Sequence, residues 1–217
     1  MHLSQFRKSI LITLSCLLFV ALTASAQEGP GAGKLEWGLF PGGGLFLVSG
    51  DHDTEVNFDT FTIGGGPSWY VNPMVAIEGE GFFGWTRTQN VFYDNRMAYH
   101  VKLPHMVGFS GNIVIFPGGS AKRVAGYVTG GAGTLTLVSR EQTKWRFGLM
   151  DWESYLVTNV GGGVKIFRGG DVRNWGWRFD YRLVIVPSKS DAVPFFAQSK
   201  QRLGHRISFG LMYTLRR

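Results

Sequence analysis

Arg178, Asp180 and Arg182 occupy alternate positions in a segment whose other positions are Trp175, Trp177, Phe179, Tyr181, Leu183 and Ile185. Successive strand side chains point to opposite faces, so this spacing puts three charges on one face and six large apolar groups on the other. The same parity sets Glu78 and Glu80 opposite Val75, Ile77, Phe83 and Trp85, and sets Lys165 and Asn159 opposite Leu156, Val160, Val164 and Ile166. Arg206 shares a face with Gly204, Ser208, Gly210, Met212 and Thr214, against Leu203, His205, Ile207, Phe209, Leu211, Tyr213 and Leu215. With Glu36 the polar faces collect four acids (Glu36, Glu78, Glu80, Asp180) and four bases (Lys165, Arg178, Arg182, Arg206). Charges so balanced can neutralise one another as a buried plug, or line a path for ions.

Other chemistry finds less support. His205 and Ser208 are close in sequence but fall on opposite faces, and His100 and His105 flank a segment without a matching Ser and acid. There is no metal-ligand cluster, phosphate loop or nucleophile elbow. The expectation is a protein that is not an enzyme and uses no metal and no cofactor.

These strands have to be delivered to their compartment. Arg7 and Lys8, the apolar run from Ile10 to Leu22, and Ala24-Ser25-Ala26 read as a secretory signal peptide over residues 1–26. The single cysteine, Cys16, lies inside it, so the exported chain contains no thiol. Residues 27–33 form a flexible lead-in, and 34–217 form one domain. Charged residues make up 17% of the 217 residues, below the roughly one quarter of a soluble domain, and no later apolar run is long enough for a membrane helix. The net charge of +7 includes no basic run of the kind that binds nucleic acid.

Eight strands are predicted, over Lys34–Val48, Asp59–Val71, Met74–Arg87, His105–Phe116, Arg123–Leu137, Ser154–Phe167, Trp175–Val186 and Leu203–Leu215. Tight turns at Asn72-Pro73, Pro117–Ser120 and Arg168–Asp171 alternate with long polar stretches at Ser49–Phe58, Thr88–Pro104, Ser139–Glu153 and Pro187–Arg202. A Lys or Arg facing lipid at mid-bilayer costs about 2–4 kcal/mol, so the charged face is a lumen and the apolar face meets lipid. The fold class is therefore all-β: a closed antiparallel eight-stranded transmembrane β-barrel with short periplasmic turns and long extracellular loops. Trp37, Trp69, Tyr70, Trp175, Trp177 and Tyr213 gather at the short-turn end as an aromatic girdle, with Trp85, Trp152 and Tyr155 at the other end. Pro41 and Pro67 lie inside strands beside glycine runs, where bulges are expected to shift the alternation. The glycine-rich fifth strand, Tyr127–Gly133, does not reveal its faces.

Three segments carry a family resemblance: Tyr127-Val128-Thr129-Gly130-Gly131-Ala132-Gly133, Asn159-Val160-Gly161-Gly162-Gly163-Val164-Lys165 and Trp177-Arg178-Phe179-Asp180-Tyr181-Arg182. With the terminal Ser208–Leu215, which looks like the C-terminal assembly signal of bacterial outer-membrane barrels, they resemble the small eight-stranded barrels of the OmpA transmembrane-domain and opacity-type group. The match departs at Arg216 and Arg217, which follow the point where such proteins usually stop. The resemblance implies location in the bacterial outer membrane, with outer-membrane lipid, lipopolysaccharide and the barrel-assembly machinery as partners. On this reading the chain ends with the barrel, without the peptidoglycan-binding domain of full-length OmpA proteins.

An eight-stranded interior is just wide enough for side chains to fill, so the expected function is structural or surface-interacting, through the extracellular loops. Binding candidates there are Arg96 and Lys102 in loop two, Arg140, Lys144, Trp145 and Arg146 in loop three, and Lys200 and Arg202 in loop four. Loop one is acidic, with Asp51, Asp53 and Glu55. A narrow pore for ions or small solutes is the alternative, a lipid-modifying outer-membrane enzyme a lesser one, and a soluble lipocalin-like barrel would reverse the observed faces.

Overall fold

The structure, a computed structural model, describes residues 30, 32–48, 58–93, 96–139, 152–168, 174–188 and 201–215, with backbone alone for 89–101. Among the described residues ten strands follow one another: β1 (Leu35–Val48), β2 (Phe58–Asn72), β3 (Val75–Thr86), β4 (Thr88–Tyr93), β5 (Arg96–Lys102), β6 (His105–Ile115), β7 (Val124–Val138), β8 (Trp152–Phe167), β9 (Trp175–Val186) and β10 (Arg202–Thr214). Eight of them close a barrel in the order β1, β2, β3, β6, β7, β8, β9, β10, and β10 pairs back onto β1. Every neighbouring pair is antiparallel. Closure leaves no edge, so the backbone ladders satisfy each other all the way round. The barrel strands run from 11 to 16 residues, enough to cross a bilayer at a tilt.

The fourth and fifth strands in chain order differ from expectation. Thr88–Pro104 is not one polar loop, because β4 and β5 pair as a two-stranded hairpin beyond the barrel wall. Polar residues such as Thr88, Gln89 and Asn90 mask the alternation in β4.

The two in-strand prolines behave differently. At Pro41 the register shifts on both sides of β1, between Leu39 and Gly42 against β10 and between Phe40 and Gly44 against β2. The extra residue reverses the alternation, so Glu36 and Phe40 point inward below it and Leu45 and Leu47 point inward above it. Pro67 makes no bulge, contrary to expectation. Its ladder to β3 lapses after Gly65–Gly81 and resumes at Ser68–Glu78 in the same register, and β2 keeps one inward parity from Phe58 to Tyr70. One missing donor is absorbed by a local gap without displacing the strand.

The distribution of side chains is inside out. Among the described residues twenty-six large hydrophobic residues are exposed, with Leu39, Phe109, Ile113, Leu156, Val160 and Ile207 among those on the outer wall, while Glu78, Lys165, Arg178 and Arg182 are at most 2% exposed inside. A bilayer accommodates that arrangement and water does not. β10 is the cleanest case, alternating buried and exposed at all 13 positions. β7, whose faces the sequence leaves open, turns Ala125, Tyr127, Thr129, Leu135 and Leu137 inward.

Within the lumen the side chains stack in three levels. At the long-loop end Leu45, Leu47, Phe58, Met106, Leu135, Val157, Val184 and their neighbours form an apolar cluster. At the short-turn end Tyr70, Ala76, Val114, Phe116, Ala125 and Tyr127 form a second. The charged belt lies between them.

Candidate functional site: the charged belt of the lumen

Glu78, the fourth residue of β3, is the hub. Its carboxylate pairs with the Arg178 guanidinium, and its Oε1 accepts from Arg182 Nη2 at 2.7 Å. Ser68 Oγ donates to Oε2 at 3.1 Å from the neighbouring strand, directly across the ladder. Asp180 is the second acid between the same two arginines, accepting from Arg178 Nη2 at 2.7 Å and Arg182 Nε at 2.8 Å. Arg182 Nη1 lies 3.1 Å from Glu80 Oε2, and Arg206 pairs with the other oxygen of Glu80. Asn159 Nδ2 donates to Asn112 Oδ1 at 3.0 Å and extends the polar layer across β8 and β6.

A second group sits toward the short-turn end. Lys165 Nζ meets Glu36 Oε1 at 2.5 Å and donates to Tyr70 Oη at 2.9 Å, while Tyr70 donates to Glu36 Oε2 at 3.0 Å. The ammonium also lies 5.2 Å from the Tyr70 ring centroid and 5.4 Å from that of Phe116. Aromatic faces thus take part of the solvation role that water would have here. The alternation in β9 delivers Arg178, Asp180 and Arg182 to one face two residues apart, and the closed order of strands brings Glu78 and Glu80 across the lumen to meet them.

All eight charged positions of the polar faces therefore lie in the lumen, each paired with an opposite charge: Glu36 with Lys165; Glu78 and Asp180 with Arg178 and Arg182; Glu80 with Arg182 and Arg206. Buried charge of this kind is tolerable only when partnered.

Tyrosines complete the belt, and neither belongs to it by sequence reasoning alone. Tyr127 Oη accepts from Arg178 Nε at 2.7 Å and donates to Asp180 Oδ2 at 2.6 Å, so it bridges the pair. Its ring lies across Gly163, its partner on β8, where an added Cβ would fall 2.4 Å from the hydroxyl. Gly108 likewise leaves room for Phe82, whose ring stacks beneath the Arg206 guanidinium at 4.8 Å. Tyr70 is a correction: it is fully buried in the lumen and is not a member of the girdle, since it shares the inward parity of Ser68. Trp37, Trp69, Trp177 and Tyr213 do face outward, each at least 40% exposed.

The loop candidates fare unevenly. Arg202 is corrected outright: it opens β10, is fully buried, and stacks 5.4 Å over the Phe58 ring, so it belongs to the barrel interior and not to loop four. Lys102 ends β5 with an exposed side chain, and Arg96 begins β5 with its backbone alone described. Arg140, Lys144, Trp145, Arg146 and Lys200 lie outside the described residues, as do the acidic loop-one residues, residues 1–26, Arg216 and Arg217. His205 faces outward, with Nδ1 2.8 Å from Tyr181 Oη, and Ser208 is buried on the other face. Among the described residues no group of three or more His, Cys, Asp or Glu is placed to hold a metal ion.

Solved structures agree with this architecture. The outer membrane protein OprG from Pseudomonas aeruginosa superposes with a TM-score of 0.54 at 11% identity, over 88% of this chain and 100% of that one. Neisserial surface protein A superposes with a TM-score of 0.55 at 9% identity, over 85% of this chain and 98% of that one. The fold is that of the small eight-stranded outer-membrane barrels. No protein-family model and no curated protein matches the sequence. At these identities the similarity extends to the fold, and the pairing inside this lumen is read from its own side chains.

Proposed function

We propose that this chain is an outer-membrane barrel with a closed lumen, a structural scaffold that carries out its role through the loops it displays at the cell surface. One observation carries the reading: the charged belt is flanked at both ends by apolar side chains, Leu45, Phe58, Met106 and Leu135 on the loop side and Ala76, Val114 and Phe116 on the turn side. Ions crossing the barrel would have to pass both clusters as well as the belt. The arginines are held by two or more acceptors each in the case of Arg178 and Arg182, an arrangement suited to fixing strands and poorly suited to passing an ion along. Residues 1–26 act in this reading as the export signal, and the long-loop end is extracellular, where Lys102 and the remaining loop cations meet lipopolysaccharide or a surface ligand.

Planar-bilayer conductance of the refolded chain lacking residues 1–26 tests this, with heat-modifiable gel migration reporting folding. Folded barrels should insert without unitary steps. Steps whose size changes in R178Q or D180N would overturn the closed-lumen reading and make the belt a conduction path.

A further inference from the structure

The outer wall is not uniform. At the short-turn end, where β2, β1 and β10 meet, Gly64, Gly65 and Gly66 leave a low floor bordered by Trp37, Leu39, Ile63, Leu211 and Tyr213. The resulting groove, about 770 Å³, is within the ~300–1,000 Å³ of clefts that hold small ligands and is lined almost wholly by apolar side chains. It follows from the strand register: Trp37 pairs with Tyr213 on one side and Pro67 on the other, and Leu39 pairs with Leu211 and Gly65, so one flank is tall and the other nearly bare.

Trp175 lines the same groove, and the Arg168 guanidinium stacks 5.0 Å over its indole. Arg168 is exposed, immediately beyond the end of β8 and level with the girdle. Lys34 and Arg123 are exposed at the same end, and among the described residues no acidic side chain is exposed there, Glu36 being buried. A planar guanidinium held at the interface by an aromatic ring is suited to bidentate contact with a phosphate.

We propose that this groove seats one anionic glycerophospholipid of the periplasmic leaflet, an acyl chain lying over Gly64–Gly66 and the phosphate on Arg168. The level of the groove selects the lipid class: it opens at the turn end, in the leaflet opposite the long loops and away from lipopolysaccharide. A second copy of the chain is disfavoured, because two-fold pairing through this face would bring Lys34, just ahead of β1, and Arg168, stacked on the Trp175 that lines the groove, toward their own symmetry mates. The inference rests on membrane insertion in the orientation proposed above, which heat-modifiable migration and protease access to the loops check separately.

Refolding into vesicles of equal phosphatidylglycerol and phosphatidylcholine, extraction into mild detergent and native mass spectrometry count the lipids that stay bound. Wild-type barrel should keep one phosphatidylglycerol at about tenfold the level of phosphatidylcholine. R168Q should bring phosphatidylglycerol down to the phosphatidylcholine level, and I63W, which fills the groove, should remove both. L211W replaces I63W if the latter fails to show heat-modifiable migration. Equal retention of the two lipids, unchanged retention in R168Q, no effect of filling the groove, or lipid-free dimers would each overturn the proposal.

Discussion

Glu78 shows what one buried side chain does here. Its two oxygens face Arg178 and Arg182, Ser68 donates to it, and Asn112 Nδ2 lies 3.5 Å away. Glu78→Gln keeps the volume and removes the charge, leaving Arg178 with Asp180 as its one charged partner, shared with Arg182, which also keeps Glu80. Breaking a buried pair from one side costs about 3–5 kcal/mol, so urea unfolding in vesicles should lose stability on that scale. The double variant E78Q/R178M removes both partners and should recover a large part of the loss, because the remaining Arg182 keeps Asp180 and Glu80. If E78Q alone were neutral, the belt would be solvated and not a plug. Period two in the sequence is sufficient to read which face each of these charges takes. The pairing is not legible, because Arg178 and Glu78 are 100 residues apart and meet only when the barrel closes. The tyrosines are harder still: an aromatic near a strand end suits a girdle or a lumen, and only the parity of Ser68 with Tyr70 separates the two.

A strand stores its register in one or two positions, and β1 stores it at Pro41. Below the bulge Glu36 faces Lys165, and above it Leu45 joins the apolar cluster, so both halves face correctly only with the extra residue in place. Deleting Pro41 forces a choice between turning Glu36 to lipid and turning Leu45 and Leu47 outward while Phe46 enters the lumen. The deletion should abolish or greatly slow the acquisition of heat-modifiable migration. Pro67→Ala should be mild, within about 1 kcal/mol, because it restores a donor in a strand whose register is already continuous. The opposite ranking would place the register control in β2. Proline beside glycine looks the same at both sites in the sequence, and the distinction appears only with the neighbours' pairing. Most strands were legible because their lipid-facing residues are large; β7 was not, because Gly130, Gly131 and Gly133 have no side chain to sort. The β4–β5 hairpin was hidden for a different reason, since a pair of strands outside the bilayer has no lipid-facing stripe to show.

The whole molecule depends on its exterior being apolar, and that dependence varies with depth. Ile207 lies in the middle of β10 and is 54% exposed, whereas Leu203 lies one residue inside the long-loop end of the same strand and is 41% exposed. Both alternate outward, both have paired backbones, and neither touches the belt. In water the two substitutions Ile207→Arg and Leu203→Arg would be alike and nearly neutral, as exposed surface changes are. In a bilayer an arginine at the midplane costs about 2–4 kcal/mol and one near the interface about 0–1, because the longer reach to the headgroups must be made by stretching the side chain or thinning the lipid. Unfolding of the two variants in vesicles should therefore differ by about 2–3 kcal/mol, with Ile207→Arg the weaker. The same pair in thinner bilayers should draw together as the midplane approaches the headgroups. Equal effects at the two depths would mean that the outer wall is not embedded in lipid, and the inside-out pattern would then need a protein partner to cover it.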